Sequence, residues 1–484
     1  MRSIFIIFFL LFSFLFLYPD EAEPVSKKVE NEEVSIIVDD DLFKEGYLDR
    51  QILHYENTVK EYLNEIQSLL RANIEEKKLE IEKRYEPVIA KKLEKEAQNR
   101  ADAIVLFEEF IKKYPDNQEY TPGAMYRLAE LYYERSVIEQ EKRMLEYEDA
   151  VMAFEKKEIK KEPEIPVVDF GHTIDLYKTI LDKFQDFKYM GAVYYMLGYC
   201  LTESGKQEEG VKVWVELLDK DIETPYLAEM YLRIGDYYFN NHDLQKAEEY
   251  FEEGVKFKES DFYDKILYKL AWTYYRQNFF EKAIESFTEL IMFADDMKSQ
   301  GIDRGQDLRK EAVQYIAISF ADEEWGSIDK AINYFENDID GKEFEKDVFE
   351  QLGKYYAENS NYSEAEKAYR FILNRHPFYE NAPRIHFGMI QLFNQARDFD
   401  KASAETAIFA KKYDQDSEWA RVNRGNATVV REAEEWAKGA LLSTASFYHR
   451  QAQALKERGE TDDAVAQYRL AAVAYGEYLL KFPY

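Results

Sequence analysis

The sequence is poor in the residues that disulfides, thiolate metal sites and tight turns require. Its 484 residues include 1 cysteine, 11 prolines and 19 glycines. The single thiol, Cys200, can form neither an intrachain disulfide nor a cysteine-rich metal site, and its apolar neighbours predict a buried packing role. All-β folds need many turn residues, so the scarcity of glycine and proline favours helices with short connections.

Motifs that carry catalysis or bind cofactors are also missing. The chain has 6 histidines, and no two of them follow an H-x-x-x-H or H-E-x-x-H spacing. It contains no phosphate-binding G-x-x-x-x-G-K-[ST] loop, no G-x-S-x-G nucleophile elbow and no glycine-rich dinucleotide turn. The sequence therefore predicts no catalytic residue, no metal and no cofactor, and we expect the protein not to be an enzyme.

Positive charge is in short supply. The formal net charge is -31, from 64 Lys and Arg against 95 Asp and Glu. Phosphate backbones and anionic membrane surfaces repel such a protein, so no nucleic-acid partner is expected. Hydrophobic residues nevertheless make up 46% of the chain and aromatic residues 16%. This is too apolar for a disordered chain and enough for a sizeable core.

The first 22 residues have the pattern of an export signal. Arg2 precedes an apolar run of about 15 residues that ends at Pro19, and Ala22 offers a cleavage site. No cysteine follows the run, which excludes a lipoprotein anchor. Residues 1–22 therefore predict a signal peptide and a bacterial periplasmic location, with an uncleaved inner-membrane anchor as the alternative. Residues 23–45 are acidic and unpatterned, and they predict a flexible linker.

Residues 46–98 predict a long helical segment that leads into the rest of the chain. Apolar residues recur there at spacings of three and four, namely Leu48, Ile52, Tyr55, Val59, Tyr62, Ile66, Leu69 and Leu70. Pro87 is expected to interrupt the helix, which then resumes at Val88. We expect a long helix or helical hairpin packed on the following domain. A coiled-coil arm that self-associates is the alternative.

The remainder of the chain repeats itself. Two stretches share the successive intervals 3, 1, 3, 9, 4 and 3: Tyr231, Ile234, Gly235, Tyr238, Ala247, Phe251, Gly254, and Phe349, Leu352, Gly353, Tyr356, Ala365, Tyr369, Ile372. A small residue lets two helices approach, and an alanine sits where they cross. We expect the following aromatic residue to fill the gap to the neighbouring hairpin.

Further copies follow at similar distances. Residues at the crossing position are Gly210, Ala247, Ala283, Ala331, Ala365, Ala402 and Ala464, most of them 34 to 37 residues apart. These residues resemble the tetratricopeptide repeat family, which implies an all-α α-solenoid of helical hairpins. The resemblance covers most of residues 99–484 in roughly eight or nine hairpins. Insertions are expected near residues 134–168, 294–311 and 410–445. Because the sequence stops just after a second helix, we expect a continuing chain or another molecule to cover that end.

The segment from Phe110 to Pro115, which reads Phe-Ile-Lys-Lys-Tyr-Pro, and the segment from Tyr369 to His376-Pro377 resemble repeats of bacterial envelope members of the family. These members include Tol–Pal-associated and outer-membrane-assembly proteins and long envelope or gliding scaffolds of delta-proteobacteria. The resemblance implies a periplasmic scaffold that binds other envelope proteins in an envelope assembly, including motility or outer-membrane machinery. A module that binds glycan or peptidoglycan through an aromatic groove is the alternative. Self-association through the N-terminal helix or the uncapped C-terminal end is a further expectation.

In this family the first helix of each hairpin lines a groove that receives the partner. Counting from the small residue of each repeat, the groove candidates are Tyr195, Tyr199, Leu232, Asp236, Phe239, Tyr268, Trp272, Tyr275, Arg276, Lys354, Arg384 and Phe387. Aromatic and arginine side chains are frequent anchors at interfaces. The alternative is that some of these side chains contact the next hairpin instead.

Overall fold

The computed structural model describes residues 47–339, 341–414 and 416–482, with side chains from residue 58 onward except at position 82. The predicted signal peptide and acidic linker lie outside these ranges. Within them the chain is helical and forms no β-strand, which confirms the predicted all-α fold. The chain divides into two compact units, Met1–Gln98 and Asn99–Tyr484. No helix in the described ranges has the length and apolar character needed to cross a membrane.

The first helix, α1, spans Tyr47–Lys113 and continues through Pro87, where an interruption was predicted. Proline removes one backbone N–H, which leaves the carbonyl four residues earlier without its helical donor. At this position the helix is exposed, so water can take the place of that donor. Side chains of residues 58–98, other than the undescribed position 82, are exposed, apart from the partly buried Ile66.

The second unit is built from helices joined by short connections. In chain order they are α2 (Thr121–Glu155), α3 (Gly171–Lys183), α4 (Met190–Glu203), α5 (Gln207–Asp219), α6 (Leu227–Asn240), α7 (Leu244–Gly254), α8 (Tyr263–Arg276), α9 (Phe280–Ser299), α10 (Gln306–Phe320), α11 (Ile328–Asn333), α12 (Glu345–Glu358), α13 (Tyr362–Arg375), α14 (Ala382–Gln395), α15 (Phe399–Lys412), α16 (Glu418–Val422), α17 (Ala427–Glu457) and α18 (Thr461–Lys481). A π-helical turn, Tyr334–Asp338, follows α11.

Most of these helices pair as hairpins, and each hairpin packs on the next. The pairs are α2/α3, α4/α5, α6/α7, α8/α9, α12/α13, α14/α15 and α17/α18. The hairpin begun by α10 is irregular, because its second helix, α11, has only 6 residues before the π-helical turn. Buried side chains between Ala228 and Phe482 form one hydrophobic cluster that runs through the hairpins from α6 onward.

The small residues lie where the two helices of a hairpin cross. A Cβ atom added to Gly235 would lie 2.4 Å from the ring of Phe251, and one added to Gly353 would lie 2.4 Å from the ring of Tyr369. The aromatic residue was expected to fill the gap to the neighbouring hairpin. Instead it fills the space above the glycine of its own hairpin. The crossing alanines are buried as predicted, and Ala247 and Ala365 are fully enclosed.

The turn inside each regular hairpin holds one residue in the left-handed backbone region. These residues are Gly205, His242, Asn278, Ser360, Arg397 and Gly459. The N–H of the following residue bonds to a carbonyl five positions earlier, as from Asp243 to Tyr238 at 3.0 Å. This is the Schellman end of a helix, which satisfies carbonyls that the helix itself leaves free.

The three predicted insertion regions have different structures. In the first, α2 extends to Glu155 and an irregular segment covers residues 156–170. In the second, α9 extends to Ser299 and a loop of residues 300–305 leads to α10. In the third, the short α16 precedes α17, which has 31 residues.

The helix α18 leaves apolar side chains exposed, including Val473 and Leu480. Its last turn is bonded back onto the array, since Lys481 pairs with Asp414 at 2.9 Å.

Candidate partner-binding face

The first helices of successive hairpins contact one another along one side of the array, which we call the first-helix face. It is formed by α4, α6, α8, α10, α12 and α14. Eleven of the twelve predicted groove residues are exposed or partly exposed there, and Leu232 is not. Leu232 is 8% exposed within the hydrophobic cluster, so its prediction as a groove residue is wrong.

The tyrosines of α4 are engaged by α6. The Tyr195 hydroxyl donates to Glu229 at 2.7 Å, and its ring stacks on Tyr226 with centroids 4.2 Å apart. The guanidinium of Arg233 lies 4.9 Å from the centre of the Tyr199 ring. Burial, ahead of other causes, raises the pKa of both predicted tyrosines, so their hydroxyls stay protonated at neutral pH.

An ion pair and a stacked arginine join α6 to α8. Lys269 lies 2.9 Å from a carboxylate oxygen of Asp236. The exposed Arg276 reaches back over the ring of Phe239, 4.6 Å from its centre, and contacts the Nδ1 atom of His242 at 2.7 Å. These polar side chains are therefore tied between hairpins, and Arg276 retains an exposed edge.

The middle of the face is an aromatic cluster of Tyr268, Trp272, Tyr275 and Tyr315. The ring centroids of Trp272 and Tyr315 are 4.2 Å apart, and those of Tyr275 and Tyr315 are 5.1 Å apart. Burial, and then a hydrogen bond to Glu311, raises the pKa of Tyr268 to about 12. Burial also raises the pKa of Tyr275. The cluster therefore presents neutral, partly exposed rings contributed by α8 and α10.

The sequence did not identify Tyr315 as a site residue. It lies on α10, whose hairpin the sequence indicates only through the crossing residue Ala331. The connection between α10 and α11 covers residues 321–327, whereas that between α6 and α7 covers residues 241–243. Counting back by the regular interval therefore misses the first helix of this hairpin.

The C-terminal candidates are also in contact with neighbours. Arg384 on α14 pairs with Glu350 on α12. Phe387 stacks on Trp436 of α17, with ring centroids 6.2 Å apart and planes 10° from parallel. Lys354 is exposed, one turn after Glu350. Among these three candidates, Lys354 and Arg384 present the most exposed surface.

The first insertion reaches the same region of the array. Gln140 on α2 donates to the carbonyl of Pro166, and Phe170 stacks on Tyr133 with centroids 5.0 Å apart. Val167 then lines a cleft of about 460 Å³ together with Glu203, Arg233 and Asp236. The insertion and the first-helix face thus share one open surface.

Clusters of metal-binding or nucleophilic side chains are sparse in the described ranges. No three His, Cys, Asp or Glu side chains there are arranged to hold a metal ion. Cys200 is fully buried as predicted, and burial raises the pKa of its thiol to about 12.

Three family models, each described as tetratricopeptide repeat, match residues 92–117, 228–261 and 351–414. The C-terminal part of a TPR repeat-containing protein from Cytophaga hutchinsonii is similar in structure, with 19% identity over 60% of this chain and 95% of that chain, at a TM-score of 0.31. A tetratricopeptide repeat protein from Parabacteroides merdae is 14% identical over 58% of this chain and 97% of that one, at a TM-score of 0.24. Yeast Tom70 is 16% identical over 75% of this chain and 62% of its own, at 0.26. No curated protein matches the chain.

Proposed function

Because the chain is a tetratricopeptide repeat protein, we propose that it is a non-enzymatic scaffold of the bacterial periplasm that holds other cell-envelope proteins. The repeats indicate a protein–protein interaction scaffold. The proposed role in envelope assembly, including motility or outer-membrane machinery, goes further. The observation that carries the proposal is the first-helix face, where partly exposed aromatic rings alternate with exposed arginine and lysine side chains.

A protein partner suits the chemistry of this face. Large rings held by neighbouring hairpins lose little conformational freedom on binding, and arginine adds hydrogen bonds at low cost. Arg276, Lys354 and Arg384 give the face exposed cations on a chain with a net charge of -31. A partner segment with apolar side chains flanked by carboxylates would complement the aromatic cluster and these cations.

Site-specific photocrosslinking tests the proposed face. We expect a photoreactive amino acid at Lys354, on α12, to crosslink a defined set of envelope proteins in living cells. The matched control places it at Lys367, an exposed residue of α13 in the same hairpin. Equal crosslinking of the same proteins from both positions would show that the first-helix face is not the binding surface.

The proposed location rests on the sequence pattern of residues 1–22 and has its own test. We expect the full chain in the periplasmic fraction and a variant starting after Ala22 in the cytosolic fraction. A cytosolic full chain would refute the location and leave the binding face to be judged by crosslinking.

A glycan is the second candidate ligand, and it would have to stack on the aromatic cluster. Sugars stack on an open aromatic face, and Trp272 already packs against Tyr315 at 4.2 Å. We therefore favour a protein partner. Sedimentation of the purified chain with peptidoglycan sacculi, weakened by Tyr268→Ala, would instead support the glycan.

A further inference from the structure

The exposed part of α1 carries an apolar stripe with an 11-residue period. Val59, Leu70 and Ile81 are successive members of one series, and Leu63, Ile74 and Tyr85 form a second. Eleven residues make three turns of an α-helix at 3.67 residues per turn, so both series stay on one side of a nearly straight helix. We call these six residues the α1 stripe.

The α1 stripe has no apolar cover. Its six side chains are between 51% and 56% exposed. A third series extends the same side, with Ile66 and Val88 at the apolar positions and Lys77 between them. Stable protein interfaces bury about 800 Å² per partner. Seven of these large side chains are about half-exposed, and together with the partly buried Ile66 they can approach that area.

The charge of this segment sets it apart from the rest of the chain. Residues 58–98 contain nine Lys and Arg and nine Asp and Glu, so the segment is neutral in a chain of net charge -31. Two copies of the acidic array repel one another. The neutral segment is the region where two copies meet without that repulsion, which favours a second copy over a strongly charged partner.

We propose that the α1 stripe is a self-association site, at which the α1 helices of two copies of this chain pack antiparallel and centre on Ile74. This pairing goes beyond scaffolding at the first-helix face, and neither proposal depends on the other.

The antiparallel orientation follows from Lys77. In a parallel pair each stripe position faces its own copy, so two Lys77 side chains would be brought together between apolar layers. Burying like charges side by side costs free energy. In the antiparallel pair Lys77 lies opposite Leu70, and its charged end can extend to water.

The same antiparallel alignment, centred on Ile74, also places the remaining apolar residues opposite one another and pairs the flanking charges. Val59 then faces Val88, and Ile66 faces Ile81. On one flank of the stripe Lys60 lies opposite Glu86, and by symmetry this pair occurs twice. The sequence on either side of Ile74 is therefore complementary to itself when reversed.

Disulfide trapping in the full chain tests both association and orientation. A disulfide requires Cα atoms within about 7 Å. We expect Ile74→Cys to form a homodimer on mild oxidation. Val59→Cys and Val88→Cys should each form no intermolecular disulfide alone and should crosslink when mixed, since positions 59 and 88 are about 43 Å apart along one helix at 1.5 Å per residue. The native Cys200 is buried and stays unreactive.

Sedimentation equilibrium measures the same dimerisation without introducing new thiols. We expect Ile74→Lys to weaken dimerisation at least tenfold and Glu76→Lys, on the opposite side of α1, to leave it unchanged. Crosslinking of Val59→Cys alone would overturn the antiparallel orientation. A wild-type chain that stays monomeric at about 100 μM, or equal effects of the two lysine substitutions, would overturn the site itself.

Discussion

At the residue scale, the hairpins are specified by pairs of side chains whose volumes compensate. Gly353 on α12 lies under Tyr369 on α13. One repeat later the corresponding positions are Ile390 and Thr406, which are 3% and 1% exposed. The large side chain has moved from the second helix to the first, and the crossing remains filled. The sequence of the α14/α15 repeat alone would not reveal this exchange, because it shows only that these two residues differ from the repeat pattern.

Replacing glycine with alanine should lower the stability of one hairpin and raise that of another. Gly235→Ala places a Cβ 2.4 Å from Phe251 and should destabilise the α6/α7 hairpin by about 1–3 kcal/mol. Gly388 lies inside α14 with no atom within 4 Å of an added Cβ, so Gly388→Ala should stabilise by about 0.5–1 kcal/mol. Amide hydrogen exchange of the two hairpins measures both effects. Destabilisation by both substitutions would contradict the volume argument.

At the element scale, the α14/α15 hairpin contains a buried polar group. His386, 3% exposed, contacts a carboxylate oxygen of Glu405 at 2.9 Å through Nε2, and Glu405 also pairs with Arg370 at 2.6 Å. The hydrogen bond to His386, together with Arg370, lowers the pKa of Glu405 to about 2, so this carboxylate stays ionised above that pH. Burial lowers the pKa of His386 below its usual 6.5, which keeps the imidazole neutral.

This hairpin should lose stability in mild acid. As pH falls below 6.5 the unfolded chain protonates His386 while the folded chain does not, so acid favours unfolding; the stabilisation is complete above pH 6.5. We expect hydrogen exchange in α14 and α15 to accelerate between pH 7.5 and 5.5, after correction for the intrinsic exchange rate. In His386→Gln, which keeps a donor for Glu405, the acceleration should be smaller. An identical pH response in both proteins would assign the effect to other groups.

The sequence predicted the positions of the helices better than the side-chain contacts between them. The intervals around Gly235 and Ala247 identified the small residues at which the two helices of a hairpin cross, because these residues repeat at fixed distances. They did not identify the contact of Phe251, whose ring covers Gly235 in its own hairpin. The partners of Tyr195 and Arg276 could not be predicted, because periodicity gives the side of a helix and not the group that faces it. The continuity of α1 through Pro87 was missed because an exposed helix tolerates the lost hydrogen bond. Tyr315 was missed because the α10–α11 connection departs from the repeat.

At the scale of the whole array, the stability of each hairpin depends chiefly on its contacts with the neighbouring hairpins. The α17 helix packs on α14 and α15, and no comparable packing joins it to the earlier hairpins α4/α5 and α6/α7 in the described structure. Stability in such arrays is approximately a sum of hairpin and interface terms.

Removal of residues 427–484 should therefore have a local effect. We expect faster hydrogen exchange in α14 and α15, whose faces against α17 become exposed, and unchanged exchange in α4–α7. The point mutant Ala437→Asp, at a buried position of α17, should reproduce the same pattern without shortening the chain. Loss of protection along the entire array would show that the hairpins fold as one cooperative unit.

The left-handed turns have an evolutionary consequence. Each is closed by bonds within its own hairpin, and six different positions accept glycine, histidine, asparagine, serine or arginine there. A gene segment encoding one hairpin can therefore be duplicated or lost without any compensating change at its turn. Lineages of this protein should accordingly differ in length by whole units of about 36 codons, with the substitutions that follow concentrated where hairpins meet.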